Sequence, residues 1–116
     1  GQLAESLVRL ARVVVAIRLH CEDLSVEQGM RIFRDEAFLE ERTARQEAER
    51  GTFDPTYLVA SLGKLMMLKL RRDYKSREPG TFSMRTFHDA VLAHGNAPFW
   101  AHRGLLLDDA SDAMLE

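Results

Sequence analysis

Near the start of the chain, Leu3, Leu7, Leu10, Val14, Ile17 and Cys21 follow one another at alternating steps of four and three. Side chains spaced this way line up along one side of an α-helix, whereas a strand would scatter them over both faces. The spacing therefore predicts a long helix from about Gln2 to Glu22 with one continuous apolar seam. Leu24 would extend the seam if the helix reached that far. Val8, Val15 and Leu19 form a second apolar strip on another side. A helix apolar on two sides is expected at the centre of its domain or sandwiched between partners. Only a narrow stripe remains for polar groups, and it holds Arg9, Arg12, Ala16 and His20.

The rest of the chain continues in helical language. Ser25-Val26-Glu27-Gln28 has the capping-box pattern, in which serine and glutamine side chains satisfy each other's orphan amides at a helix start. Met30, Ile32, Phe33, Ala37, Phe38 and Leu39 are the apolar residues that follow. Glu40 to Arg50 is densely charged with few apolar anchors, which reads as a solvated helical face. Gly51 to Pro55 is the clearest break. Asp54 is placed to cap and Pro55 to take the first helical position, so a long helix is expected from there to about Lys75. Its apolar face is Leu58, Leu62, Leu65, Met66 and Leu70, with Lys69 expected to reach water from within it. The basic residues from Lys69 to Lys75 complement the negative pole of a helix C-terminus.

Glu78-Pro79-Gly80 is a turn. Ser83 is placed to cap the next helix, with Phe82 and Phe87 at the positions of a hydrophobic staple. Gly95 suits the left-handed stop of that helix, and Asn96-Ala97-Pro98 opens a last short one through about Leu106. There is no alternating pattern long enough for a strand. The expected fold is all-α, a compact bundle of about five to six helices, with residues 1–107 as a single helical domain and 108–116 as an acidic, flexible tail. The chain opens at Gly1 directly into helical periodicity, with no basic leader and no start methionine. That suggests a fragment of a larger helical protein.

Bulk properties exclude several function classes. A length of 116 residues suits one domain. The formal charge of −2 gives no electrostatic reason to expect nucleic acid, including at the basic run from Lys69 to Arg77. Cys21 is the single cysteine, so neither an internal disulfide nor a multi-cysteine zinc site can form. No apolar run approaches the roughly 20 residues of a membrane span.

The residues that could carry chemistry are few. The four histidines are His20, His88, His94 and His102, and none stands in the four-apart arrangement with glutamate that zinc peptidases place on a helix. His88 and His94 are six apart and fall on different helix faces, which argues against a shared metal. Ser61-Leu62-Gly63-Lys64 lacks the first glycine and the preceding strand of a nucleotide loop. His88 beside Asp89 can be read as a structural hydrogen-bonding pair or as one wall of a polar pocket. Arg12 and His20, eight residues apart, share roughly one helix face and could hold an anion or carboxylate, or could be ordinary polar groups on a central helix.

Taken together, these elements resemble a known family. Arg12 with His20 two turns later, the break from Gly51 to Pro55, Leu62-Gly63-Lys64-Leu65 followed by Leu70-Arg71, and Phe87-His88-Asp89-x-x-Leu92-x-x-Gly95-x-x-Pro98 occur in this order. The order resembles the C-terminal segment of the bacterial family called domain of unknown function 885, from about Leu7 to Leu106. Full-length members resemble largely helical zinc metallopeptidases of the gluzincin type, whose HExxH-like or HExxxGH-like metal motif lies upstream of the matched segment. The resemblance thus implies no catalytic residue, metal ligand or cofactor in this chain, with zinc possible in the parent protein. It implies a wall of the substrate cleft, with Arg12, His20 and His88 as substrate-pocket candidates able to hold a carboxylate or an oxyanion. Many members carry an acidic residue where this chain has Ala16. Many also carry a tyrosine shortly before the glycine, where Val59-Ala60-Ser61-Leu62-Gly63 stands here.

The implied function is that of a C-terminal helical segment of a metallopeptidase-like bacterial protein, without catalysis of its own. Its partners would be the remainder of the parent chain, a peptide substrate bound by the parent, and a second copy through self-association of the fragment. The alternative is a helical interaction module without an enzymatic role, which the two-sided apolar first helix also allows.

Overall fold

The computed structural model describes residues 1–109 and Leu115. Six helices and no strand occur among the described residues: α1 Gln2–Cys21, α2 Val26–Asp35, α3 Glu41–Arg50, α4 Val59–Arg77, α5 Met84–Ala93 and α6 Phe99–Leu107. The all-α expectation holds. No helix among them is long and apolar enough to cross a membrane. Of the expected flexible tail, residues 110–114 and 116 lie outside the described residues. The chain falls into two compact units that divide within α4, the first running from Gly1 to Leu62 and the second from Gly63 onward.

In the first unit α1, α2 and α3 close around Val15, Phe33, Ala44 and Ala48, none of which is reached by water. Tyr57 meets Phe33 edge to face, with ring centroids 6.5 Å apart. The capping box forms as the sequence specifies: Ser25 Oγ accepts from the Gln28 amide, and Gln28 Oε1 accepts from the Ser25 amide. α3 is not solvated all round. Its charged residues cover one side, while Ala44 and Ala48 pack completely on the other. The helices come close because their contact residues are small. A Cβ on Gly29 of α2 would stand 3.1 Å from Val15 Cγ1 and 3.5 Å from Ala48 Cβ.

The packed side of α1 is not the seam that the spacing made most conspicuous. Val8, Ala11, Val15, Ala16 and Leu19 face the core, whereas Leu3 is 84%, Leu10 57% and Ile17 47% exposed. Leu7, Val14 and Cys21 lie open along the same strip. The most buried positions of α1, Ala11, Val15 and Ala16, are small, and that smallness lets α2 and α3 pack close.

Both α1 and α2 end without glycine. Asp23 and Phe38 take left-handed backbone conformations, with φ of 55° and 57°. The next amide then turns back to the helix: Leu24 N–H donates to the Arg18 carbonyl, and Leu39 N–H to that of Phe33. Phe38, expected among the packing residues, is instead 79% exposed. The segment after Asp54 also differs from expectation. Asp54 Oδ1 accepts from the amide and the hydroxyl of Thr56, and hydrogen-bonded turns continue until α4 begins at Val59 rather than at Pro55. The competing local bonds of an Asx turn explain the delay.

In the second unit Leu70, Phe87, Val91 and Leu107 form the core, with Tyr74, Phe82 and Phe99 against it. Ser83 caps α5 by accepting from the Thr86 amide. Phe82 and Phe87 belong to the same apolar cluster, as the staple requires. Gly95, with φ 64°, follows the end of α5 in the conformation that favours glycine. Lys69 does not reach for water but donates to Asp73 Oδ2 at 2.7 Å.

Candidate functional site

The polar stripe of α1 meets the C-terminal half of α3. Arg12 projects from α1 and donates through Nε and Nη2 to the two carboxylate oxygens of Glu47, at 2.8 and 2.7 Å. This fork-to-fork pair is the strong geometry for arginine and carboxylate. The guanidinium carbon also lies 5.7 Å from the centre of the Tyr57 ring. The Tyr57 hydroxyl donates to the Glu47 carbonyl at 2.6 Å. Arg12 is held above its ordinary pKa by the hydrogen bonds it donates to Glu47, against the opposing effect of burial. Burial, with the nearby Glu47 charge, pushes the Tyr57 phenol well up.

Two turns along, His20 Nε2 lies 3.0 Å from the carbonyl oxygen of Gly51, the residue that ends α3. A carbonyl only accepts, so this ring nitrogen carries the proton and Nδ1 is left as the acceptor. Arg12 and His20 thus both engage α3, one at a side chain and the other at its C-terminal backbone. They do not converge on one empty point.

A cavity of about 580 Å³ opens beside Arg12 in the same unit. Leu7 and Val8 of α1 and Phe38 and Leu39 after α2 give it apolar walls, and Arg9 and Arg12 supply charge. Glu5 neutralises Arg9 at 2.8 Å. Phe38 stands in water in a left-handed conformation that costs an aromatic residue on the order of 1 kcal/mol.

His88 belongs to the second unit. It is exposed on α5, its ring 5.5 Å from that of Phe87. Its neighbour Asp89 is also exposed and lies 3.7 Å from Arg85. The densest polar grouping of this unit lies elsewhere, on residues that sequence reasoning did not single out. Asp73 Oδ2 accepts from Lys69 at 2.7 Å and from Arg103 at 2.8 Å, and Arg103 also reaches Asp109. Burial works to raise the Asp73 carboxyl, but the hydrogen bonds from Lys69 and Arg103 outweigh it and hold the group below its ordinary value. The available signal was the four-residue step from Lys69 to Asp73. Arg103 carried none, because an arginine in a short apolar helix is equally compatible with an exposed position.

His102 is buried in the same unit with Nδ1 unpartnered among the described residues, and its ring lies 6.4 Å from that of His94. Among the described residues no three of His, Cys, Asp and Glu come together as a metal site. Ser61 stands two residues before Gly63, and its hydroxyl donates to the Arg9 carbonyl at 3.0 Å.

The family model described as "Bacterial protein of unknown function (DUF885)" matches residues 1–101. No curated protein matches the chain, and no solved structure does so either.

Proposed function

Because this chain belongs to that bacterial family of unknown function, DUF885, we propose that it is the helical C-terminal part of a metallopeptidase-like protein, lining the substrate cleft without catalysing the reaction. The observation that carries the reading is the open apolar seam of α1. Leu3, Leu7, Leu10, Val14 and Ile17 expose a strip along nearly the whole helix. A strip of that length in water is a surface suited to being covered by further protein. The remainder of the parent chain is the cover this reading assigns.

Arg12 is then a pocket residue with a dual task. Glu47 occupies Nε and Nη2 and fixes the plane of the guanidinium. Nη1 is the nitrogen left to meet a carboxylate of a peptide whose apolar side chain enters between Leu7 and Phe38. His20, with its proton fixed on Nε2 by the Gly51 carbonyl, offers Nδ1 as an acceptor for a peptide N–H. His88, exposed and without a hydrogen-bond partner among the described residues, is the candidate donor of the second unit. Zinc would be supplied by the parent protein.

Metal content and peptide hydrolysis, measured on the complete gene product, test the reading. A stoichiometric zinc ion and hydrolysis are expected, with His88→Ala reducing activity at an unchanged melting temperature. A well-folded product without metal and without hydrolysis would refute the reading. The same open seam supports a second one, a helical interaction module that works by contact alone. An HExxH-type motif encoded upstream of Gly1 favours the peptidase reading, and a gene without one favours the module.

A further inference from the structure

The second unit contains a cavity of about 800 Å³ that no candidate residue above touches. Leu65 and Leu68 of α4 form one apolar side of it, and Phe82 and Met84 at the start of α5 form the other. Leu115 also lines the cavity. Arg71, Arg72 and Lys75 line the rest together with Lys69, and none of the described residues lining it is acidic. Residues 68, 71, 72 and 75 follow one another at steps of three, one and three, so the apolar and cationic walls belong to one face of α4.

The cations are not all accounted for by carboxylates. Asp73 takes Lys69 at 2.7 Å and lies 3.9 Å from Arg72, while also holding Arg103. Arg71 has a contact to Met84 Sδ at 3.8 Å and no carboxylate among the described residues. Lys75 sits with its ammonium 5.6 Å from the centre of the Phe82 ring, again without a carboxylate among them. Complementing the helix dipole explains basic residues only in the last turn, and α4 ends at Arg77. Arg71 lies beyond that reach. Two cations side by side on a partly apolar wall repel each other unless an anion joins them.

We propose that this cavity binds a small amphipathic anion, a carboxylate or phosphate head on an aliphatic chain. Arg71 presents a planar fork for the head group, and Lys75, positioned by the Phe82 ring, supplies a second charge. The chain lies against Leu65, Leu68 and the adaptable Met84. The volume suits such a molecule, since small-ligand pockets run from about 300 to 1,000 Å³ with mostly apolar walls. A nucleic-acid backbone is the poorer fit, because it calls for an extended basic surface and the whole chain carries −2.

Titration calorimetry on the intact chain, with decyl phosphate below its micelle concentration, tests the proposal. Saturable binding is expected, with decanol and inorganic phosphate each at least tenfold weaker. Shortening the chain by two carbons should weaken binding roughly tenfold, from the transfer cost of two methylenes. The double variant Arg71→Gln with Lys75→Gln should bind at least tenfold more weakly at an unchanged circular dichroism spectrum. Leu68→Gln, at a part-exposed position, should flatten the dependence on chain length and leave the preference for the anion over decanol. Equal binding of decanol and decyl phosphate overturns the proposal, as does undiminished binding by the double variant. Binding to phosphatidylglycerol vesicles without binding of the free amphiphile also overturns it, placing the chemistry at a membrane surface.

Discussion

Breaking the Arg12–Glu47 pair tests both the packing of the first unit and the part assigned to Arg12. The perturbation is a double-mutant cycle of Arg12→Ala, Glu47→Ala and both. Each hydrogen bond to a charged group contributes about 1.5–3 kcal/mol when fully desolvated. The pair makes two such bonds, but the side chains keep 24% and 16% of their exposure, so water screens part of the attraction. An exposed pair contributes at most about 1 kcal/mol, and breaking a fully buried one costs about 3–5. The coupling energy should therefore fall at about 1.5 kcal/mol. Glu47→Ala should cost about 2 kcal/mol, because it leaves the guanidinium half-buried over Tyr57 with no counter-charge. Alanine's better helix propensity offsets this only by a few tenths. For a chain of this length, thermal unfolding followed by circular dichroism should show a loss of roughly 8 °C. Arg12→Lys should not restore the pair, since an ammonium cannot span both oxygens. Single-variant losses that add to the double-variant loss within about 0.3 kcal/mol would refute the coupling of Arg12 to Glu47.

Asp73 predicts an acid limb in the stability of the second unit. Its folded pKa lies below the unfolded value of 3.8, so its contribution is fully present above that value and is lost as pH falls through the folded one. Unfolding in urea followed by Trp100 fluorescence between pH 7 and pH 2 should show that slope, and Asp73→Asn should flatten it. Gly95→Ala should cost about 1 kcal/mol, because alanine resists the left-handed backbone there while no neighbour lies within 4 Å of the new Cβ. A loss under about 0.3 kcal/mol in the denaturation midpoint would show that the turn relaxes freely. Phe87→Ala removes a fully buried ring and should cost about 3–4 kcal/mol in the same assay.

What the sequence revealed follows from which interactions are local. The Ser25 and Ser83 caps, the Phe82–Phe87 staple and the Gly95 stop each depend on residues within a few positions, and all formed as their spacing indicates. The choice of buried face on α1 was not local. Periodicity identifies apolar strips but does not say which one faces the neighbours, and the answer depended on the close approach of alanine and glycine in α2 and α3. The left-handed Phe38 was likewise illegible, because nothing in a phenylalanine announces a positive φ. Arg12 and His20 were recognisable as a pair on one helix face, but their partners were not. Glu47 sits 35 residues from Arg12, in a stretch whose charges looked interchangeable.

The close approach of α2 to α3 bears on how this chain can diverge. Apart from Glu47, which holds Arg12, the charged side of α3 can exchange glutamate for arginine or lysine at little cost, so it will drift quickly. Positions 29, 44 and 48 tolerate no such freedom, because what they require is smallness rather than hydrophobicity. A comparison of relatives should therefore find α3 almost unrecognisable by composition, yet marked by two invariantly small residues one turn apart. Such a signature would escape any search weighted toward large apolar residues.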